Sequence, residues 1–163
     1  MITYDEVRKV FNYDEHTGAF HWAIQQGCKK PGQLAGHLDK NLGYVTIRYR
    51  NKLYLAHRLA WLYITGSHPT DQIDHINGMR HDNRFINLRP ATNSENNQNK
   101  NMTKSNTTGE KGVHWHKKAG KWSAEVWCNY KKHYIGLFSD FNEAVIAVRN
   151  KRQKLHKEFV NHG

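Results

Sequence analysis

Ile73-Asp74-His75-Ile76-Asn77-Gly78, Asp82-Asn83-Arg84, Ile86-Asn87-Leu88-Arg89 and Thr92-Asn93-Ser94-Glu95-Asn96-Asn97 make up the stretch on which the fold turns. Asn77-Gly78 is a tight-turn signal. Asp74 and His75 fall at a strand end before it, and Asn87-Leu88-Arg89 follows a polar loop, so a hairpin is expected. Thr92 to Glu95 reads as a capping box, which starts a helix near Ser94 and sets Asn96 in its first turn, pointing back toward the hairpin. Taken one at a time, these residues also fit ordinary turn, strand-end and capping roles. Their joint spacing carries more than their composition does.

Upstream, His57-Arg58-Leu59-Ala60-Trp61-Leu62-Tyr63-Ile64-Thr65 repeats apolar positions at helical spacing and stops at Gly66, with Pro69 beyond. Thr3 to Glu6 is another capping box, predicting a short helix over 4–11 and a turn over Asp14 to Gly18. Ala19–Ala23, Gly43–Tyr49 and Leu53–Leu55 read as strands, the last two joined by an Arg50-Asn51-Lys52 turn. Downstream, residues 97–110 hold almost no apolar side chains and read as a linker. Strand-like runs at 112–116, 121–128 and 132–137 then predict a three-stranded sheet. Asp140 caps a helix whose Phe141, Val145, Val148, Leu155 and Phe159 form one apolar face.

The whole chain has 163 residues, 25 Lys plus Arg against 14 Asp plus Glu, and a formal charge of +11. Residues 101–163 carry twelve basic and five acidic side chains, so most of the excess sits in the last third. Polyanions are the expected partners, and a basic solvated face is the alternative. Mean hydropathy is −0.89, and no apolar run approaches the roughly 20 residues of a membrane span. Met1 to Glu6 has neither a basic start nor an apolar stretch, so no secretory signal is expected and the chain is placed in the cytoplasm, that of the host cell if a phage encodes it. Cys28 and Cys128 are the two cysteines, which excludes a disulfide framework and the paired knuckles of a structural zinc site.

Asp-His before the turn, Asn-Leu-Arg after the loop and Asn in the next helix resemble the HNH endonuclease pattern, from His57-Arg58-Leu59-Ala60-Trp61 to Asn99. The likeness is closest to the phage and intron-encoded HNH homing endonucleases. It implies a ββα-metal (His-Me finger) core in which hairpin and helix hold one divalent cation against the scissile phosphate. On that resemblance His75 is the general base, Asp74 and Asn96 bind the metal, and Asn87 braces the hairpin loop. Oxygen donors favour Mg²⁺ or Mn²⁺ over zinc. The products would carry 5′-phosphate and 3′-hydroxyl ends, and a lone site would nick one strand. Arg84 and Arg89 flank the site as candidate phosphate clamps; pairing with Asp82 is the equal alternative for Arg84. His57 and Arg58 belong to the family's signature, where a helix-start packing role is at least as good a reading as contact with substrate.

Lys111-Gly112-Val113-His114-Trp115-His116, Gly120 to Trp127, Tyr134 to Phe138 and the helix after them resemble the APETALA-type, or ethylene-response-factor, DNA-binding domain. That resemblance implies a sheet in the major groove, with Lys111, His114, His116, Lys118, Lys121, Glu125, Trp127, Lys132 and Tyr134 as contacts. Several positions that are Arg in that domain are His, Lys or Trp here, which removes guanidinium forks that read guanine. Alternation places Trp122, Ala124 and Val126 on the opposite, apolar face.

The expectation is thus an α+β chain: a strand-rich region over 1–56, a nuclease core over 57–100, a linker over 101–110, and over 111–163 a three-stranded antiparallel sheet with one packed helix. The expected function is metal-dependent cleavage of double-stranded DNA, with no membrane and no obligatory protein partner. A non-catalytic DNA-binding regulator is the alternative. A phage packaging or assembly nuclease would share the chemistry and differ in context.

Overall fold

The computed structural model describes residues 1–103 and 105–162. Lys104, inside the stretch read as a linker, and Gly163, the last residue of the expected C-terminal domain, lie outside the described residues. The architecture is mixed α/β, with small antiparallel sheets and four α-helices among the described residues. The chain divides into two compact units, Met1–Pro90 and Ala91–Gly163. Residues 93–100, read by resemblance with the nuclease core, and 101–110, read as a linker, fall in the second unit with the C-terminal sheet. Within that stretch Glu110 is buried and ion-paired to Arg149 and Arg152, which polar composition alone does not reveal.

In the first unit, helix α1 (Tyr4–Val10) is capped by Thr3, whose hydroxyl accepts from the Glu6 amide. Strand β1 (Phe11–Asp14) follows without a break and pairs antiparallel with β2 (Ala19–Trp22), Phe11 opposite Trp22. The sequence predicted the turn over Asp14 to Gly18 but missed β1, because Phe11 completes the apolar face of α1 before its backbone turns extended. Two-residue strands β3 (Leu34–Ala35) and β4 (His37–Leu38) are also new. The first joins the β1-β2 sheet; the second pairs with β5 (Val45–Tyr49), which pairs with β6 (Lys52–Leu55). Arg50 and Asn51 take φ of 46° and 61° in the two-residue turn, the primed conformation that matches strand twist. Helix α2 (Ala56–Thr65) ends on Gly66 in the left-handed conformation, as its sequence predicts.

Phe11, Phe20, Trp22, Tyr49, Ile47, Leu59 and Leu62 form the core of this unit. Phe11 lies 4.8 Å from Trp22 and edge-on to Phe20 at 5.9 Å, centroid to centroid. Each such side chain, fully buried, contributes about 1.5–3 kcal/mol. Strand β7 (Gln72–His75) and β8 (Leu88–Ala91) then make a two-stranded ribbon, with a 3₁₀ turn (Phe85–Asn87) leading into β8.

In the second unit, helix α3 (Asn93–Asn99) carries the complete capping box: Thr92 accepts from Glu95 N, and Glu95 accepts from Thr92 N. Strands β9 (Val113–His116), β10 (Lys121–Cys128) and β11 (Lys131–Phe138) form an antiparallel sheet with β10 central. Helix α4 (Phe141–His156), capped by Asp140, covers its apolar face. Val113, Ala124, Val126, Ala144 and Val148 are buried between them.

Candidate functional site

Strand β7 buries Ile73, Asp74 and His75 consecutively. A strand carrying a carboxylate and an imidazole into the interior is costly unless each is held. Asp74 is held by Arg89 from β8: Nε and Nη2 both donate to Oδ2, at 2.9 and 2.7 Å. The pair is shielded, with side-chain exposures of 5% and 13%. Burial pulls the His75 imidazole below its ordinary range, against the opposing pull of the Asn83 side chain and the Asp74 and Asp82 carboxylates. The ring is therefore neutral near pH 7 and free of the proton a base must accept.

A second imidazole stands beside it. His57, in the first turn of α2, meets the His75 ring edge-on at 5.0 Å, and Tyr44 lies 5.2 Å from His57 and 6.0 Å from His75. Burial, with the nearby His75 and Arg58 charges, pulls His57 down to about 3, and its Nδ1 is buried without a hydrogen-bond partner. Arg80 covers Tyr44 from the other side, its guanidinium 5.1 Å from the ring.

The loop between the strands is shaped by three side chains. Asn87 Nδ2 donates to Asn77 Oδ1 at 3.0 Å and to the Asp82 carbonyl at 2.9 Å, while its Oδ1 accepts from the Asn77 amide at 3.0 Å. Asn77 Nδ2 donates to Asp82 Oδ2, and Asp82 takes both Nε and Nη2 of Arg84, at 2.8 and 2.6 Å. That fork holds Asp82 well below the usual carboxylate range, at about 2. Of the two arginines expected to clamp phosphate, Arg84 is thus paired with Asp82 and Arg89 with Asp74. Asn77, read only as a turn residue, Asp82, read only as the alternative partner of Arg84, and Asn83 and Tyr44, given no role by sequence reading, are the further site neighbours. The first three stand inside the quoted motif; nothing in the sequence marks Tyr44.

Asn96, the other expected ligand, lies half-buried in the first turn of α3, in the second unit. Among the described residues no three or more His, Cys, Asp or Glu converge to hold a metal. The donors that the motif supplies, one carboxylate and one amide, are oxygens of the kind that hard divalent cations take.

In the second unit His114, His116, Lys118, Lys121, Trp127, Lys132 and Tyr134 are exposed. On β10 and β11, Trp127 stands opposite Lys132 and Glu125 opposite Tyr134, and Lys132 reaches Glu125 at 2.5 Å. Trp127 and Tyr134 keep 58% and 60% of their surface open. Lys111 differs from the rest of its expected group. Its ammonium donates to the carbonyls of Lys100 and Asn161, and burial, followed by the Arg152 charge, draws it down to about 8.

No helix among the described residues is long and apolar enough to cross a membrane. An HNH endonuclease family model matches residues 54–98. Protein 3.8 of Escherichia phage T7 is 35% identical over 105 residues, which covers 64% of this chain and 86% of the phage protein. No solved structure matches the chain.

Proposed function

We propose that this chain, which belongs to the same family as phage T7 Protein 3.8 and carries an HNH endonuclease domain over residues 54–98, is a metal-dependent endonuclease that hydrolyses phosphodiester bonds of double-stranded DNA. The observation that carries the reading is the side-by-side burial of a neutral imidazole and an arginine-held carboxylate on one strand. His75 takes the proton of the attacking water. Asn87 fixes the loop that follows His75, and with it the imidazole's place. Arg89 holds the Asp74 carboxylate in one orientation.

Asp74 and, by the family motif, Asn96 would hold one Mg²⁺ or Mn²⁺ in a ββα-metal core, and the bound ion supplies charge stabilisation for the leaving 3′ oxygen. The C-terminal sheet, of the ethylene-response-factor type on the motif it resembles, grips the duplex. Its exposed Lys118, Lys121, His114 and His116, beside Trp127 and Tyr134, suit phosphates and base edges. The homing-type resemblance extends the reading to a phage-encoded site-directed nuclease.

Supercoiled plasmid incubated with the protein and Mg²⁺ is expected to be nicked, and EDTA to stop it. His75→Ala is expected to abolish cleavage while DNA affinity stays nearly unchanged. Undiminished turnover in that variant removes His75 from the base role.

A further inference from the structure

Asn83 is among the most buried polar residues of the chain, at 2% exposure. Its Nδ2 donates to the His81 carbonyl at 3.1 Å, a bond internal to the loop. Its Oδ1 is buried without a hydrogen-bond partner, and its side chain favours a proton on the His75 ring. A buried amide oxygen is costly unless a donor faces it, and His75 is the donor on offer.

The backbone at Asn83 is held from outside the family-matched segment. Tyr13 on β1 donates its hydroxyl to the Asn83 carbonyl at 2.7 Å. Burial raises that phenol to about 12, so it stays a donor at any working pH. Gly18, in the β1-β2 turn, has φ of +73°, and a Cβ there would stand 2.4 Å from Arg84 N and 2.6 Å from Asn83 C. The turn therefore presses directly on the loop, in a space that admits glycine alone. Tyr13 is itself wedged against Phe20 at 4.8 Å and Tyr63 at 5.7 Å.

We propose that Asn83 is a positioning residue for His75, its Oδ1 accepting from one ring nitrogen so that the other keeps its lone pair for the attacking water, with the β1-β2 hairpin bracing Asn83 from behind. An acceptor at one nitrogen selects the tautomer and fixes the ring plane. The inference rests on the nuclease reading for its kinetic consequence, while the tautomer it assigns holds whether or not the chain cleaves DNA.

The test compares Asn83→Leu, which removes both polar atoms, with Asn83→Asp, which keeps an acceptor oxygen and loses the donor to His81. Single-turnover nicking of supercoiled plasmid with Mg²⁺ gives the rate, filter binding without metal gives DNA affinity, and imidazole ¹⁵N spectra give the His75 tautomer. Asn83→Leu is expected to lower the rate about 10- to 100-fold with affinity unchanged, and to mix the His75 tautomers. Asn83→Asp is expected to recover most of the rate. If Asp falls as far as Leu, the loop bond to His81 is what matters and the proposal fails; it fails equally if Leu keeps the wild-type rate or a single tautomer. Tyr13→Phe, which removes one hydroxyl from a packed ring, serves if Asn83→Leu does not fold: a mixed His75 tautomer supports the brace, and an unchanged ring spectrum overturns it. Absence of nicking by the wild type counts against the nuclease reading alone, and the spectra still decide Asn83.

Discussion

Arg89 sits against a carboxylate that has left water, and that decides what its loss should do. With Asp74 and Arg89 both shielded, truncating the cation strands a buried charge, a change that costs about 3–5 kcal/mol. Arg89→Ala is therefore expected to lose that much stability in urea unfolding without metal or DNA, and Arg89→Lys to recover only part of it, because a single ammonium cannot reproduce two nitrogens on one oxygen. A loss under about 1 kcal/mol would mean the pair is solvated in solution. His57 sets a pH dependence. Its folded value is about 3 against an ordinary 6.5, so between those values the unfolded chain binds a proton that the folded chain refuses. Stability is then full above about pH 6.5 and falls as pH drops toward 3, by up to ~1.4 kcal/mol per pH unit for this one group. Asp82, held at about 2 against 3.8, adds a loss in the same direction below pH 4. His57→Phe is expected to flatten the upper part of that profile by one proton in urea titrations at stepped pH. An unchanged slope between pH 6 and 4 would show that His57 gains its proton without unfolding.

Single elements show where local signals suffice and where they end. The capping residues Thr3, Thr92 and Asp140, the Gly66 stop and the three C-terminal strands were legible because each rests on residues within one or two turns of one another. Strands β3 and β4 were not: two residues each carry no period. The part of the candidate site that sequence reading reached is local in the same sense. Asp74, His75 and Asn87 lie within one hairpin, whereas Tyr13 meets Asn83 across 70 positions and no pattern in the chain announces it. Gly112 is a further contact of this kind. At φ of +73° a Cβ there would meet Glu125 O at 2.1 Å, and Glu125 N donates to Gly112 O at 2.9 Å. Gly112→Ala is expected to part β10 from the segment entering β9 and to lower the melting temperature by several degrees. The nearby Gly120→Ala, which meets no neighbour within 4 Å, bears only the cost of its positive φ. Equal shifts in the two variants would show that the close approach to Glu125 is not what Gly112 is for.

For the molecule as a whole, net charge is the property that reaches furthest, since +11 acts on a polyanion at distances where no side-chain geometry matters. Twelve of the 25 basic residues lie beyond position 100, but the structure separates them by what they already hold. Lys111, Arg149 and Arg152 are committed to internal carbonyls or to Glu110, and Lys132 faces Glu125. Lys118 and Lys121 are exposed, with no ion pair among the described residues. If these two neutralise phosphates, Lys118→Ala with Lys121→Ala should reduce the slope of log affinity against log salt by about 2, from ~0.9 per phosphate contact. Trp127→Ala, in contrast, removes an open apolar surface and no charge. It should weaken binding by the same factor at every salt concentration and leave the slope where it was. Fluorescence titrations of a labelled duplex between about 50 and 200 mM salt separate the two effects. A slope unmoved by the double lysine variant would relocate the duplex to some other surface of the chain, whereas a slope moved by Trp127→Ala would mean that the sheet face had rearranged.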